Sequence, residues 1–206
     1  MNNKDLLVKI HAYIASDGGI YPWKCKEIRG NNVRIRKKLR VKFWNKEDKL
    51  MNDFVVSVKR IYPHLKYIWE DKKKFVAEVR SQIFSKDLLK LGKVSTKSWE
   101  FPKDINAKQK RIWIRAFADC DGTVNNYNYT RYVAIDSINL KGLKQISLIL
   151  SEFGISSRII KVRYKDKVSY RLKISRQDNL RKYEDIIGFN HPLKKRKLKE
   201  AIKSYR

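Results

Sequence analysis

The chain has 206 residues, of which 42% are hydrophobic, so its length fits one compact domain or two small ones with a sizeable core. It carries 49 lysine and arginine residues against 21 aspartate and glutamate residues, and the net charge of +28 predicts binding to a polyanion, with nucleic acid as the first candidate. No apolar run approaches the roughly 20 residues that span a bilayer, and the charge is not confined to one amphipathic helix, which argues against a membrane protein.

Cysteine and histidine usage narrows the chemistry further. The two cysteines, Cys25 and Cys120, are too few and too far apart for a disulfide framework or a thiolate metal site. The three histidines are scattered without the spacing of zinc ligands. The amino terminus has neither a long apolar core nor a small-residue cleavage site, so it does not resemble a secretory signal, and we expect an intracellular protein.

In chain order, the predicted elements repeat as helix, hairpin, helix, hairpin, helix. The first set comprises a helix ending at Asp17 and Gly18, a hairpin turning near Gly30 to Asn32, a helix over 46–62, a hairpin turning at Glu70 to Lys72, and a short helix with Ser85 as N-cap and Gly92 beyond its end. The second set comprises a helix ending at Asp121 and Gly122, strands over 123–137, a helix over 140–154, a hairpin over 157–175, a helix over 176–188 and a basic helix after Pro192. Residues 93–106 contain Pro102 and no clear periodicity, so they form the predicted linker between halves 1–92 and 107–206.

The first helix of each half carries a related sequence. IHAYIASDG at residues 10–18 and IRAFADCDG at residues 114–122 are diverged copies of one nine-residue pattern. Apolar and small residues run at helical spacing and end in Asp-Gly, which predicts a helix closed by glycine with a carboxylate at its carboxyl end. Two such helices indicate similar halves that meet on them, with Asp17 and Asp121 paired for metal-dependent chemistry.

Several predicted strands alternate apolar and basic residues, which gives each sheet one basic face. In the first half the alternation has one slip around Lys37, and its cations are Arg34, Arg36, Lys38, Arg40 and Lys42. The second half repeats the pattern in Arg158, Lys161, Arg163, Lys165, Lys167, Arg171 and Lys173. Alternating charge is also typical of a solvated sheet face, but five cations without an acid favour contact with a phosphate backbone.

The two motif copies, the doubled αββαββα order and the basic strands resemble the LAGLIDADG homing endonucleases, in their single-chain form with two motifs. The resemblance covers almost the whole chain and implies an α+β fold of two pseudo-symmetric αββαββα halves, packed on the motif helices, with two curved antiparallel DNA-binding sheets. The chain departs from the family pattern at the first three motif positions, Ile10, His11 and Ala12 and Ile114, Arg115 and Ala116. The alanines are small enough for a helix crossing, whereas His11 and Arg115 are expected to point away from it.

The resemblance also implies a catalytic site. Asp17 and Asp121 would bind a divalent metal, Mg²⁺ or Mn²⁺, beside the scissile phosphates, and an oxygen-only ligand set suits Mg²⁺. The resemblance leaves open whether position 16, which is Ser16 in this chain, also adds to the metal site. A polar residue at the end of the second strand of each half and a basic residue near the end of the fourth would complete the site. These positions match Asn45, Ser137, Lys86, and Arg176 or Gln177.

The strands that would face the DNA differ between the halves, so the target is expected to be long and non-palindromic. Arginine can read guanine and asparagine can read adenine in the major groove. The candidate DNA-binding residues are Arg34, Arg36, Lys38, Arg40, Lys42, Asn126, Asn128, Thr130, Arg163, Lys165, Arg171 and Lys173.

Three functions compete on the sequence alone. The first is a monomeric, sequence-specific endonuclease that cuts both strands of duplex DNA. The second keeps the fold without cleavage, as a maturase that binds intron RNA or as a DNA-binding regulator. The third is a basic ribosome-associated or structural nucleic-acid protein. The presence of both Asp17 and Asp121 favours the nuclease, because a protein that only binds has no need for two carboxylates that repel phosphate.

Overall fold

The computed structural model describes residues 1–29, 32–66, 68–95, 97–127 and 129–205, and over these ranges the chain has seven helices and eight strands. The first half comprises α1 (Asn3–Asp17), β1 (Gly18–Arg29), β2 (Asn32–Trp44), α2 (Asp48–Ile61), β3 (Ile68–Asp71), β4 (Val76–Val79) and α3 (Gln82–Leu91). The second half comprises α4 (Ala107–Asp121), β5 (Gly122–Tyr127), β6 (Thr130–Ser137), α5 (Leu140–Glu152), β7 (Arg158–Tyr164), β8 (Lys167–Ser175) and α6 (Gln177–Ile186), followed by α7 (Pro192–Lys203).

Each half contains one four-stranded antiparallel sheet. The strand orders are β1-β2-β4-β3 and β5-β6-β8-β7, so the second half repeats the topology of the first. The predicted α+β fold of two αββαββα halves is therefore confirmed, and α7 is an addition after the second unit. None of the helices in the described ranges is both long and apolar enough to cross a membrane.

The halves meet on α1 and α4, which pack against each other. Ala12 and Ala116 are buried, as small residues at a helix crossing allow. The expectation that His11 points away from this interface is wrong, because its ring is buried and Nδ1 accepts a hydrogen bond of 3.0 Å from Nε1 of Trp113. Burial lowers the pKa of His11 to about 4, so the ring is neutral and Nε2, 3.2 Å from the Gly92 carbonyl, is its donor.

Arg115, unlike His11, lies beside the helix interface and not inside it. Its side chain is half-buried, and Nε donates to the backbone carbonyl of Ile187, at the end of α6. The guanidinium therefore flanks the helix interface and connects α4 to its own half, as expected for a bulky polar residue at this motif position.

The segment between α3 and α4 contributes to the core. Trp99 and Phe101 are buried, and the ring of Trp99 lies 5.6 Å from that of Trp113 and 4.6 Å from that of Phe117, measured between centroids. The segment thus fills space beside α4. The division at residues 93–106 into two domains stays a prediction.

One face of each sheet packs on the helices and the other is open. Val41 and Phe43 of β2 are buried on the helix side, so the even-numbered residues of β2 point to the open face. The pairing of β1 with β2 is continuous, so the slip of the sequence alternation at Lys37 causes no break in the strand pairing. Lys37 lies on the helix-side face in the part of the hairpin that extends beyond β4, where that face is exposed.

Two predicted boundaries also shift. The side chain of Ser81 accepts a hydrogen bond from the backbone N–H of Phe84, so Ser81 is the N-cap of α3. Ser85 lies inside the helix, where its hydroxyl donates to the carbonyl of Ser81. The turn of the second hairpin occupies residues 72–75 rather than Glu70 to Lys72.

Candidate functional site

The carboxyl ends of α1 and α4 bring Asp17 and Asp121 together where the halves meet. The glycine after each aspartate is the cap residue that closes its helix, as predicted, and its backbone is extended, with φ of −144° at Gly18 and −80° at Gly122. A Cβ at Gly18 would stand 2.7 Å from the carbonyl oxygen of Lys42. Glycine is required because helix and strand approach closely at this point.

Asp17 is oriented by an amide. Nδ2 of Asn45 donates to Oδ2 of Asp17 at 2.8 Å, while Oδ1 of Asn45 accepts from the backbone N–H of Glu47 at 2.9 Å. Burial raises the pKa of Asp17, and hydrogen bonds from Cys120 and Asn45 partly oppose the rise. Asn45 directly follows β2, and its two bonds fix the direction in which the Asp17 carboxylate faces.

The residue before Asp17 is bonded within its own helix. Position 16, whose part in the metal site the sequence left open, is occupied by Ser16. The hydroxyl of Ser16 is buried and donates to the carbonyl oxygens of Ala12 and Tyr13, at 2.9 and 3.1 Å. Its side chain therefore closes the last turn of α1, and the carboxylates remain the candidate metal ligands.

Asp121 accepts no hydrogen bond from any residue in the described ranges. Burial, and then the charge of Asp17, raise the pKa of Asp121 to about 7. Both carboxylates also stand at the carboxyl ends of helices, where the dipole is negative and a cation is favoured. A bound cation is therefore the group that best compensates the negative charge of the two carboxylates and of the two helix ends.

The donor set fits a hard divalent cation that is shared with a substrate. Asp17 and Asp121 supply only oxygen, which is the ligand type of Mg²⁺ and Mn²⁺. Across the described residues, no group of three or more His, Cys, Asp or Glu side chains could hold a metal ion. Two carboxylates leave several positions of an octahedral Mg²⁺ to water and phosphate oxygens, as is usual where Mg²⁺ binds phosphorylated substrates.

The corresponding strand end in the second half is built differently. Ser137 occupies the position equivalent to Asn45, two residues after the strand residue that pairs with the motif glycine. Its hydroxyl accepts hydrogen bonds from Nε1 of Trp99 at 3.3 Å and from the backbone N–H of Asn139 at 3.1 Å. The two carboxylates thus have unequal support, with an amide on Asp17 and no matching side-chain bond on Asp121 from the described residues.

The expectation that Lys86, Arg176 or Gln177 lines the carboxylate pair is wrong. Because β4 and β8 run antiparallel to β2 and β6, the chain at their carboxyl ends leads away from Asn45 and Ser137. Lys86 is exposed on α3, Arg176 is the N-cap residue of α6, and Gln177 donates to a carbonyl of α7.

The sequence predicted the basic helix after Pro192, but not that the start of α7 packs against the end of α4. Oδ1 of Asp119 accepts hydrogen bonds from the backbone N–H groups of Asn190 and His191 at 2.8 and 2.9 Å. Nζ of Lys194 lies within hydrogen-bond distance of three carbonyl oxygens in the last turn of α4. No spacing within the basic LKKRK run marks Lys194, since only the fold distinguishes it from the neighbouring lysines.

The open face of the first sheet carries all five predicted cations of β2, which are Arg34, Arg36, Lys38, Arg40 and Lys42. Glu78 of β4 lies among them and is buried. Its carboxylate is 3.1 Å from Lys42, 3.4 Å from Arg40 and 2.6 Å from Arg80. Trp44 and Trp69, at 38% and 51% exposure, share this face. The surface thus combines fixed cations with accessible aromatic rings.

The second sheet presents fewer of the predicted residues. Thr130, Arg171 and Lys173 lie on its open face. The guanidinium of Arg171 donates two hydrogen bonds to Asp136, at 2.7 and 2.9 Å, and the ammonium of Lys173 lies 4.2 Å from the ring centroid of Tyr132. Arg171 is therefore held in one orientation.

Three further candidates in the second half lie elsewhere. The expectation that Asn126 and Arg163 share the open face is wrong, because the strand alternation puts both on the helix-side face, and Asn126 accepts a hydrogen bond from Ser204. Lys165 occupies the turn between β7 and β8 with φ of 52°. Asn128 lies outside the described residues. DNA contact by the remaining candidates stays a prediction.

Comparison with known proteins supports the fold. Residues 108–188 match the family profile of the LAGLIDADG-like domain. The homing endonuclease I-DmoI, solved in complex with DNA and Ca, superposes with a TM-score of 0.67 at 18% identity, over 97% of this chain and 100% of that chain. The N-terminal LAGLIDADG domain of DUF199/WhiA superposes with a TM-score of 0.57 at 12% identity, over 91% of this chain and 83% of that chain.

Among curated proteins, the chain is similar to the replication factor C small subunit of Methanocaldococcus jannaschii. The two are 29% identical over 175 residues, which cover 80% of this chain but 9% of that protein. The chain thus spans a small fraction of this relative.

Proposed function

We propose, from the premise that the chain is a two-domain LAGLIDADG protein, that it is a site-specific endonuclease that hydrolyses both strands of duplex DNA with Mg²⁺ or Mn²⁺. The resemblance on which this family assignment first rested is confirmed by the matched domain and by the fold. The observation that carries the proposal is the pair of aspartates at the adjoining carboxyl ends of α1 and α4.

The open sheet faces support DNA as the substrate. Their cations can neutralise phosphates, while the paired side chains of Glu78 and Asp136 hold several of those cations in fixed positions. The carboxylate pair lies at the ends of strands from both sheets, so a duplex lying along the faces would bring a phosphate of each strand to it. In I-DmoI the same fold is solved with DNA and a divalent metal.

In the proposed reaction, Asp17 and Asp121 are the residues that would hold a divalent cation. The cation, when bound, neutralises phosphate charge and lowers the pKa of a coordinated water. Asn45 keeps Oδ2 of Asp17 in place through its amide, so one carboxylate is oriented before the substrate arrives. Both carboxylates stand at helix carboxyl ends, where the negative end of the helix dipole favours a bound cation.

A second candidate function is sequence-specific DNA binding without cleavage. The cationic open faces of the two sheets support it as they support cleavage, because both functions require contact with phosphates. The carboxylate pair argues against it, since two acids beside a phosphate weaken binding unless a cation intervenes. The sequence also predicts a monomer in an intracellular location and allows intron RNA as a partner. These three points remain proposals.

Cleavage of a randomised duplex library in Mg²⁺, with sequencing of the cut ends, tests the endonuclease. We expect cuts at one long, non-palindromic sequence, lost in Asp17→Asn and Asp121→Asn and retained in Asp185→Asn, a matched change on the exposed surface of α6. A parallel selection in Ca²⁺ reports binding separately. Selective binding of DNA without cuts would support the second candidate function, and selective binding of RNA alone would indicate a maturase.

A further inference from the structure

Lys194 makes an unusual set of contacts for a lysine of a basic surface helix. Its Nζ lies 3.2 Å from the carbonyl oxygen of Ala118, 2.6 Å from that of Asp119 and 2.8 Å from that of Cys120. The three protons of the ammonium are therefore directed at the last turn of α4, immediately before Asp121. The carbonyl of Ala118 also accepts a hydrogen bond from the backbone N–H of Gly122, so the ammonium shares that oxygen and adds a donor to the carbonyls of Asp119 and Cys120 at the end of the helix.

The position of Lys194 is fixed by the start of α7. Asp119 binds the backbone N–H groups of Asn190 and His191, which connects the residues before α7 to α4. Nε2 of His191 lies 3.7 Å from the carboxylate of Glu47 in the first half. Contacts on both sides of the domain boundary thus hold the beginning of α7 at the carboxylate site.

The first half has no counterpart to this cation among the described residues. The last turn of α1 contains no basic residue, and α7 has no equivalent after α3. The neighbour of Asp17 is the neutral amide of Asn45, at 2.8 Å. The two carboxylates are therefore served by groups of different charge, an amide for Asp17 and an ammonium for the helix end that carries Asp121.

We propose that Lys194 is a built-in cation at the Asp121 end of the site, where it makes divalent-cation binding weaker than at the Asp17 end. Its charge attracts both carboxylates and lowers the pKa of each. The ammonium also occupies the Cys120 carbonyl, a hard oxygen next to Asp121 that is otherwise suited to Mg²⁺. Lys194 is thus a positioning residue, and its role rests on the proposed metal-dependent function.

Binding of Mn²⁺ to the full chain, followed by the electron paramagnetic resonance signal of free Mn²⁺ without DNA, tests this role. Lys194→Met should bind Mn²⁺ about tenfold more tightly than the wild type, because a like charge is removed from the site. Lys194→Arg, which keeps the charge, and Lys195→Met, which removes an exposed neighbouring charge, should stay within about twofold of the wild type, since surface charge is screened. In the wild type, Asp17→Asn should reduce Mn²⁺ affinity more than Asp121→Asn.

A Lys194→Met chain that is folded and binds Mn²⁺ no more tightly than the wild type would overturn the proposal, and Lys194 would then serve only to end α4. If Lys194→Met does not fold, judged by circular dichroism, Lys194→Gln provides the same comparison with a neutral donor. An equal loss of Mn²⁺ affinity in Asp17→Asn and Asp121→Asn would also contradict the proposal. If the wild type and both aspartate variants bind no Mn²⁺ with or without DNA, the metal-dependent function itself fails.

Discussion

In the metal-free protein, Asp121 should make the folded state less stable as the pH rises from 5 to 8. Burial and the charge of Asp17 place the folded pKa at about 7, against an ordinary value of 3.8. Between these values the folded chain keeps a proton that the unfolded chain has released, so the free energy of unfolding falls by about 1.4 kcal/mol per pH unit. From pH 5 to the folded pKa the loss is at most about 3 kcal/mol, and residual contact of Asp121 with water reduces it.

Asp121→Asn isolates this effect because an amide does not titrate. Asp119, whose pKa burial raises to about 6, remains in both proteins and cancels from the difference. Urea unfolding at pH 5 and pH 8 in EDTA, followed by the fluorescence of the buried tryptophans, should show the wild type losing up to about 3 kcal/mol more than the variant. Parallel losses in the two proteins would refute the reasoning that burial beside Asp17 raises the pKa of Asp121.

Three further predictions follow from contacts around the site. His11→Ala should lower the free energy of unfolding by about 3 kcal/mol, because it leaves a cavity and an unpaired indole N–H on Trp113, and thermal unfolding checks this. Ala12→Leu should cost about 1–3 kcal/mol in the same measurement, since the helix crossing has no room for the added carbons. Asn45→Ala should slow DNA cleavage about 10- to 100-fold with unchanged DNA affinity, because it releases the Asp17 carboxylate and leaves the sheet faces intact. Gel-shift titration and timed cleavage separate these two effects.

Local sequence patterns predicted the repeated helices and strands, because the pattern typical of each kind of element lies within the element itself. The Asp-Gly ends marked the helix boundaries, and alternating charge marked the strands of the first sheet, whose five cations on β2 share one face. The predictions were wrong where a residue's role depends on distant packing. His11 is polar, yet a bond from Trp113 in the other half satisfies it inside the interface.

The same reason explains the residues that the sequence misplaced or missed. Lys86 and Arg176 follow the fourth strands in sequence, but the antiparallel direction of those strands carries them away from the carboxylates. Asn126 and Arg163 lie on the wrong face because strand alternation is fixed by pairing register, which the sequence did not determine. Lys194 reaches the site only because α7 folds back on α4.

The most direct test of the endonuclease is a strand-resolved time course on one selected duplex, labelled on either strand and incubated with the wild-type chain in Mg²⁺. We expect both strands to be cut at fixed positions within one minor-groove width of each other, and Asp17→Asn and Asp121→Asn to leave the duplex bound without a double-strand break. A duplex that is bound selectively by the wild type but stays intact in both strands, in Mg²⁺ and in Mn²⁺, would contradict the proposed activity and leave DNA binding as the function.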